Sequence, residues 1–112
     1  MQHLIKSLGL QSEVEITLKP PQYEAFCMDR NEPFNKLFHE VYSQVMSREP
    51  CYAYAQVITD ANVFAGECGI PCIHLGPPMG NVHQPDEYVE LDWLEPVAKM
   101  YALMACRFLG IR

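Results

Sequence analysis

Residues 31–58, NEPFNKLFHEVYSQVMSREPCYAYAQVI, decide the fold class because the spacing of their apolar side chains changes partway along. Phe34, Leu37, Phe38, Val41, Tyr42 and Val45 recur at three- and four-residue intervals, which puts them on one face of a helix. Asn31 is a good N-cap for that helix, and Arg48-Glu49-Pro50 ends it. After the proline, Tyr52 to Ile58 reads as a strand. The same alternation continues outward. Asp60 to Glu67 reads as a short helix and Cys72 to Leu75 as a buried strand, so the chain is expected to form an α/β layer structure.

The flanks are read the same way. A last helix starts near Asp92, whose side chain is placed to cap it with Glu95 three residues on, and runs to Phe108 ahead of Gly110. Pro96 falls in its first turn, where proline is tolerated. The helix is apolar on most sides, but Asp92, Glu95, Lys99 and Arg107 exclude a membrane span and make it a largely buried helix. At the other end, residues 3 to 9 resemble the end of a short helix closed by Gly9. Glu13 to Lys19 then alternate, with Val14, Ile16 and Leu18 on one face, as a half-buried strand does. Pro20-Pro21 stops that strand, and the stretch through Asn31 reads as an irregular connection between two units.

At 112 residues the chain is one domain's worth, and 49% hydrophobic with 20% charged residues is ordinary for a globular fold. Fourteen acidic against eight basic residues give a net charge of −6, without a Lys/Arg cluster, so a phosphate backbone would be repelled and nucleic acid is not an expected partner. The start, Met1-Gln2-His3-Leu4-Ile5-Lys6, lacks the form of a signal peptide, and no apolar run approaches bilayer length. A cytoplasmic protein without membrane partners is the expectation. Five cysteines, odd in number and irregularly spaced, fit reduced thiols better than a disulfide framework.

Three stretches carry candidate chemistry. Gly76-Pro77-Pro78-Met79-Gly80-Asn81-Val82-His83-Gln84-Pro85-Asp86-Glu87 follows the strand-like Cys72–Leu75 and presents His83 from a loop that leads toward a helix. A neutral imidazole is a common zinc ligand, and a surface or capping histidine is the plain alternative. His83 and Glu87 have helical spacing, but Pro85 between them argues against shared coordination. Cys68, Cys72 and His74 lie within seven residues and form a rival, partial zinc site, with buried core residues as its alternative. In Ile58-Thr59-Asp60-Ala61-Asn62, Thr59 and Asp60 can cap the following helix, and the free N–H groups of the same turn suit a substrate carboxylate.

Taken in order, Thr59-Asp60-Ala61, Gly69-Ile70-Pro71, Gly76-Pro77 and His83-Gln84-Pro85-Asp86-Glu87-Tyr88-Val89 resemble the C-terminal end of the acetylornithine deacetylase, succinyl-diaminopimelate desuccinylase and aminoacylase family of zinc-dependent metallohydrolases and exopeptidases. The resemblance covers roughly residues 30 to 112. It implies half of a zinc-exopeptidase-like catalytic domain at 31–112, with helices packed on a mostly parallel sheet. It also implies a connection at 20–30, and a helix-strand remnant of the lid and dimerisation domain at 1–19, hence a homodimer.

The same resemblance implies that His83 is the last ligand of a two-metal site, occupied by zinc or by cobalt or manganese, with Glu87 close to it. Thr59, Asp60 and Asn62 then lie beside the pocket for an N-acyl amino acid or peptide, whose amide a metal-activated water attacks. Val57-Ile58 stand where that family often has glycines, and Asn62 where it often has an arginine that grips the substrate carboxylate. The family's other ligands and its general base lie in an N-terminal half that these residues do not include. The chain is therefore expected to be a fragment, inactive alone, or else a non-catalytic module that self-associates through residues 14–18 or through apolar surface.

Overall fold

In the computed structural model, residues 2–9, 15, 17–20 and 22–111 are described. Helix α1, Gln2–Ser7, ends at Gly9, whose φ of 66° and N–H bond to the Lys6 carbonyl (3.2 Å) close it as the sequence predicts. Val14 and Ile16 of the expected strand at 13–19 lie outside the described residues.

Helix α2, Pro33–Met46, uses proline's fixed φ at its first turn. Its N-cap is Glu32, without a side-chain bond; Asn31 instead donates its N–H and Nδ2 to Asp29 Oδ1 (2.9 and 3.1 Å), so it builds the turn ahead of the helix. Ser47, at φ 54°, stops the helix two residues before Glu49-Pro50. Helix α3, Leu94–Phe108, follows a 3-10 turn at Leu91–Trp93. Trp93 occupies its N-cap and no side chain caps it, so Asp92 sits inside the 3-10 turn and does not serve as the expected cap. The exposed Glu95–Lys99 pair, one helical turn apart at 2.6 Å, bonds the carboxylate and holds Glu95 below its ordinary pKa.

The two long helices run antiparallel. The Phe34 ring meets Phe108 edge-on at 5.8 Å, and Arg48 stacks over Trp93 at 5.4 Å at the opposite end. Between them Val41, Val97 and Met100 are buried, with Leu37, Val45, Leu75, Trp93 and Met104 packed around them. The helical periodicity of 34–45 thus becomes the core seam. Helix α3 is less enclosed than its composition implies, since Tyr101 and Phe108 stay more than half exposed.

Regular strand structure among the described residues is one antiparallel hairpin, β1 (Met79–Gly80) with β2 (Tyr88–Val89), paired Met79 to Val89 and Gly80 to Tyr88. No parallel sheet is formed among the described residues. Residues 51–58 and 72–75 form no regular strand, with a bend at Val57, and the N–H groups of 51–58 enter no backbone hydrogen bond among the described residues. A strand is stable only when a neighbouring backbone answers its donors and acceptors, and no described backbone does so for the N–H groups of 51–58. Tyr54 is 84% exposed and Ile58 69% in consequence. The radius of gyration is 19.9 Å, against about 13 Å for a compact domain of 100 residues.

The expected helix at Asp60–Glu67 is present as a π-helix, Asn62–Glu67, with the Cys68 N–H reaching back five residues to the Val63 carbonyl (3.0 Å). Its Gly66 lies against segment 22–29, since a Cβ there would come within 2.9 Å of the Glu24 carbonyl oxygen. Gly80 fills the same need in the hairpin, where an added Cβ would stand 2.5 Å from the Tyr88 ring. Gly80→Ala is expected to drive that exposed ring off the hairpin, at the low end of the roughly 1–3 kcal/mol that overpacking costs. Loss of cross-strand nuclear Overhauser contacts to Tyr88, with a lower melting temperature, is the check. No helix among the described residues is long and apolar enough to cross a membrane.

Candidate functional site

The hairpin holds the His83 loop. The Gln84 N–H donates to the Asn81 carbonyl (2.9 Å), which makes Val82 and His83 the middle of a four-residue turn. His83 takes φ 61° there, with Asn81 at 53° and Asp86 at 61°. Asparagine and aspartate tolerate this left-handed region, but the third residue of such a turn is ordinarily glycine, and a Cβ in it costs about 1–2 kcal/mol. Asn81 Nδ2 steadies the loop through the Asp86 carbonyl (3.3 Å), and the Glu90 N–H to Pro78 carbonyl bond (2.9 Å) closes its base. His83 and Glu87 both face solvent, and the loop leads into β2 and not directly into a helix. Strain of this kind concentrates where a side chain has a task.

The second element is the Thr59–Asn62 turn. Thr59 N–H donates to Asn62 Oδ1 (3.0 Å), Asn62 N–H to the Thr59 carbonyl (2.9 Å), and Ala61 N–H to Thr59 Oγ1 (3.3 Å). Asn62 Nδ2 donates to the Glu24 carbonyl (3.0 Å), which ties the turn to segment 22–29. Thr59 Oγ1 lies 2.9 Å from His74 Nε2, which ties it to segment 72–75. That segment is fixed in turn by the Tyr101 hydroxyl of α3, which donates to the Leu75 carbonyl. Asp60 is exposed, while Thr59 and Asn62 are half-buried. Both side chains therefore join three separate chain segments, and Asp60 alone projects without a hydrogen bond to its carboxylate among the described residues.

The third element is a cleft of about 550 Å³ lined by residues of 23–30, 50–58 and 72–75, including Arg30, Tyr52, Tyr54 and His74. The Arg30 guanidinium lies over the Tyr52 ring at 4.9 Å. Burial pushes the Tyr52 phenol up from its ordinary pKa, against the pull of Arg30 and with help from Glu49. The exposed Tyr54 hydroxyl is also raised, first by its hydrogen bond with the Cys27 thiol at 3.8 Å. His83 and Glu87 are not part of this lining; they belong to the hairpin.

All five cysteines carry free thiols. Among the described residues no group of three or more His, Cys, Asp or Glu side chains could hold a metal ion. Cys68, Cys72 and His74 thus form no centre, and His74 is occupied with Thr59. His83 likewise belongs to no such group of three among the described residues, whereas catalytic zinc takes three protein ligands. The residues present do not by themselves fit a metal pair. Thr59 and His74 are both legible as polar residues, one just after the run 52–58 and one within 72–75, but their bond is not.

The model of Peptidase family M20/M25/M40 matches residues 5–107. No curated protein and no solved structure matches the chain.

Proposed function

We propose, because this chain belongs to Peptidase family M20/M25/M40, that it supplies one face of the active site of a metal-dependent amidohydrolase acting on N-acyl amino acids or small peptides. His83 is the residue offered to the metal. Thr59, Asp60 and Asn62 form the turn that receives the substrate, and Glu87 lies four residues beyond the imidazole on the same loop. The observation that carries this reading is the backbone of His83: an exposed imidazole held at φ 61° in a turn that glycine would fill at lower cost.

Catalytic zinc takes three protein ligands, so in this reading the isolated chain is inactive by itself. The remaining ligands, the bridging carboxylate and the general base come from a second half of the catalytic domain. In this proposal that half also covers residues 51–58 and 72–75 and completes the parallel sheet. A zinc pair, or cobalt or manganese in the same ligands, would supply the activated water in that assembly. A cytoplasmic homodimer, with residues 1–19 belonging to the dimer-forming lid, completes the proposal.

A second reading, a non-catalytic module that self-associates, is favoured by the exposed Tyr54, Val57 and Ile58. Zinc titration of the isolated chain separates the two when read together with its oligomeric state. Weak zinc binding that disappears in His83→Ala supports the metallohydrolase reading. Stable oligomers whose zinc affinity is indifferent to His83 support the module.

A further inference from the structure

Arg30 is held in place at the cleft, and no carboxylate among the described residues is spent on it. The backbone beside it is tied: Asn35 Nδ2, from the first turn of α2, donates to the Asp29 carbonyl (2.5 Å), as does the Glu32 N–H (3.1 Å). Tyr52 draws the exposed guanidinium over its ring at 4.9 Å, which steadies the side chain without neutralising its charge. Two neighbouring carboxylates are engaged elsewhere. Asp29 Oδ1 accepts from Asn31, and Glu49 Oε2 lies 2.5 Å from His39 Nε2. The cleft lining itself contains no Asp, Glu or Lys among the described residues, so Arg30 is its one permanent charge, in a chain of net charge −6. Buried Phe38 and half-buried Phe26, Tyr42, Ile73 and Leu75 supply apolar walls. A second cavity shares Arg30 but is lined by Glu40 and Glu49, which repel an anion from that side.

We propose that the cleft binds an amphipathic monocarboxylate, with its carboxylate on the Arg30 guanidinium and its apolar body against Phe26, Phe38 and Ile73. A planar guanidinium offers paired N–H donors that match a carboxylate, and one cation balances one negative charge. The cleft volume of about 550 Å³ lies within the roughly 300–1,000 Å³ of pockets that take small ligands. The Tyr52 phenol, held above its ordinary pKa by burial, stays protonated near neutral pH and adds no competing anion beside Arg30. The site goes beyond the metal reading, because His83 and Glu87 lie outside this lining.

The experiment titrates the ¹⁵N-labelled 112-residue chain, without metal, with 3-phenylpropionate and with its uncharged counterpart 3-phenylpropanamide. Backbone amides of residues 26–30 and 51–54 and the Arg30 Nε–H report occupancy of the cleft. The expected result is that both probes shift these signals and that the acid binds about 3- to 10-fold more tightly, the worth of a hydrogen-bonded ion pair at an exposed guanidinium. Arg30→Gln is expected to bring the acid down to the affinity of the amide. Arg30→Lys keeps the charge and retains part of the preference, which separates loss of the cation from loss of the fold. Equal affinity for acid and amide in the unaltered chain, or a preference that survives Arg30→Gln, would overturn the assignment. So would an absence of cleft shifts with either probe. Neither zinc nor His83 enters the measurement, so its failure leaves the metallohydrolase reading standing.

Discussion

His83→Gly, made in this chain joined to a ligand-bearing N-terminal half from the same family, is expected to lower hydrolysis of an N-acetyl amino acid by more than about 100-fold. The groups that merely orient a metal's ligands account for 10- to 100-fold, so removal of a ligand exceeds that range. The same substitution is expected to make the hairpin more stable. His83 holds φ 61° with a Cβ in place, at a cost of about 1–2 kcal/mol. Glycine removes that cost while adding about 0.5–1 kcal/mol of unfolded-state entropy, which leaves a net gain of roughly 0–1.5 kcal/mol. Lost turnover with a raised melting temperature is the signature of a residue kept for function. A fall in both would make His83 a structural part of the loop. His83→Ala separates the effects, because it removes the imidazole and keeps the strain.

Met100→Ala is expected to destabilise the α2–α3 pair by about 2–5 kcal/mol, the usual range for deleting a buried methionine side chain. The effect is large here because the buried core is small. Val41, Val97 and Met100 form its centre, and Met100 is fully buried. The 9421 Å² of accessible surface exceeds the roughly 6,300 Å² that a compact monomer of this mass presents, so little other burial compensates. A denaturant titration followed by helical circular dichroism is the measurement. An unchanged midpoint would mean that the helices are held by something other than their apolar seam. In the proposed whole domain the loss should be smaller, because helices fixed by a sheet depend less on each other.

The helices were legible in the sequence because their apolar spacing is a local property, satisfied within each element. Phe34 to Val45 predicted α2, and the same side chains form its buried face. The caps were less legible. Asn31 and Asp92 are both suited to capping, but Asn31 bonds to Asp29 and Asp92 falls into the 3-10 turn. Strands are different again, because alternation states a preference for extended backbone and says nothing of the neighbour that must answer it. Tyr52 to Ile58, read as a strand, form none among the described residues, and Val57 is a bend. The parallel sheet thus belongs to the proposed whole domain and not to the described residues.

The site divides along the same line. His83 was found from its loop, and the structure adds the positive φ that no residue type announces. Thr59 and His74 were each noticed for other reasons, as a cap and as part of a thiol cluster. Their pairing, 15 residues apart, depends on where the two runs end in space, which sequence alone does not give.

The most direct measurement is zinc-dependent hydrolysis of an N-acetyl amino acid by the isolated chain beside the same chain joined to the ligand-bearing half. No turnover by the isolated chain, and turnover by the joined protein that disappears in His83→Ala, is the predicted result. Turnover by the isolated chain with zinc, or by the joined protein without His83, would contradict it.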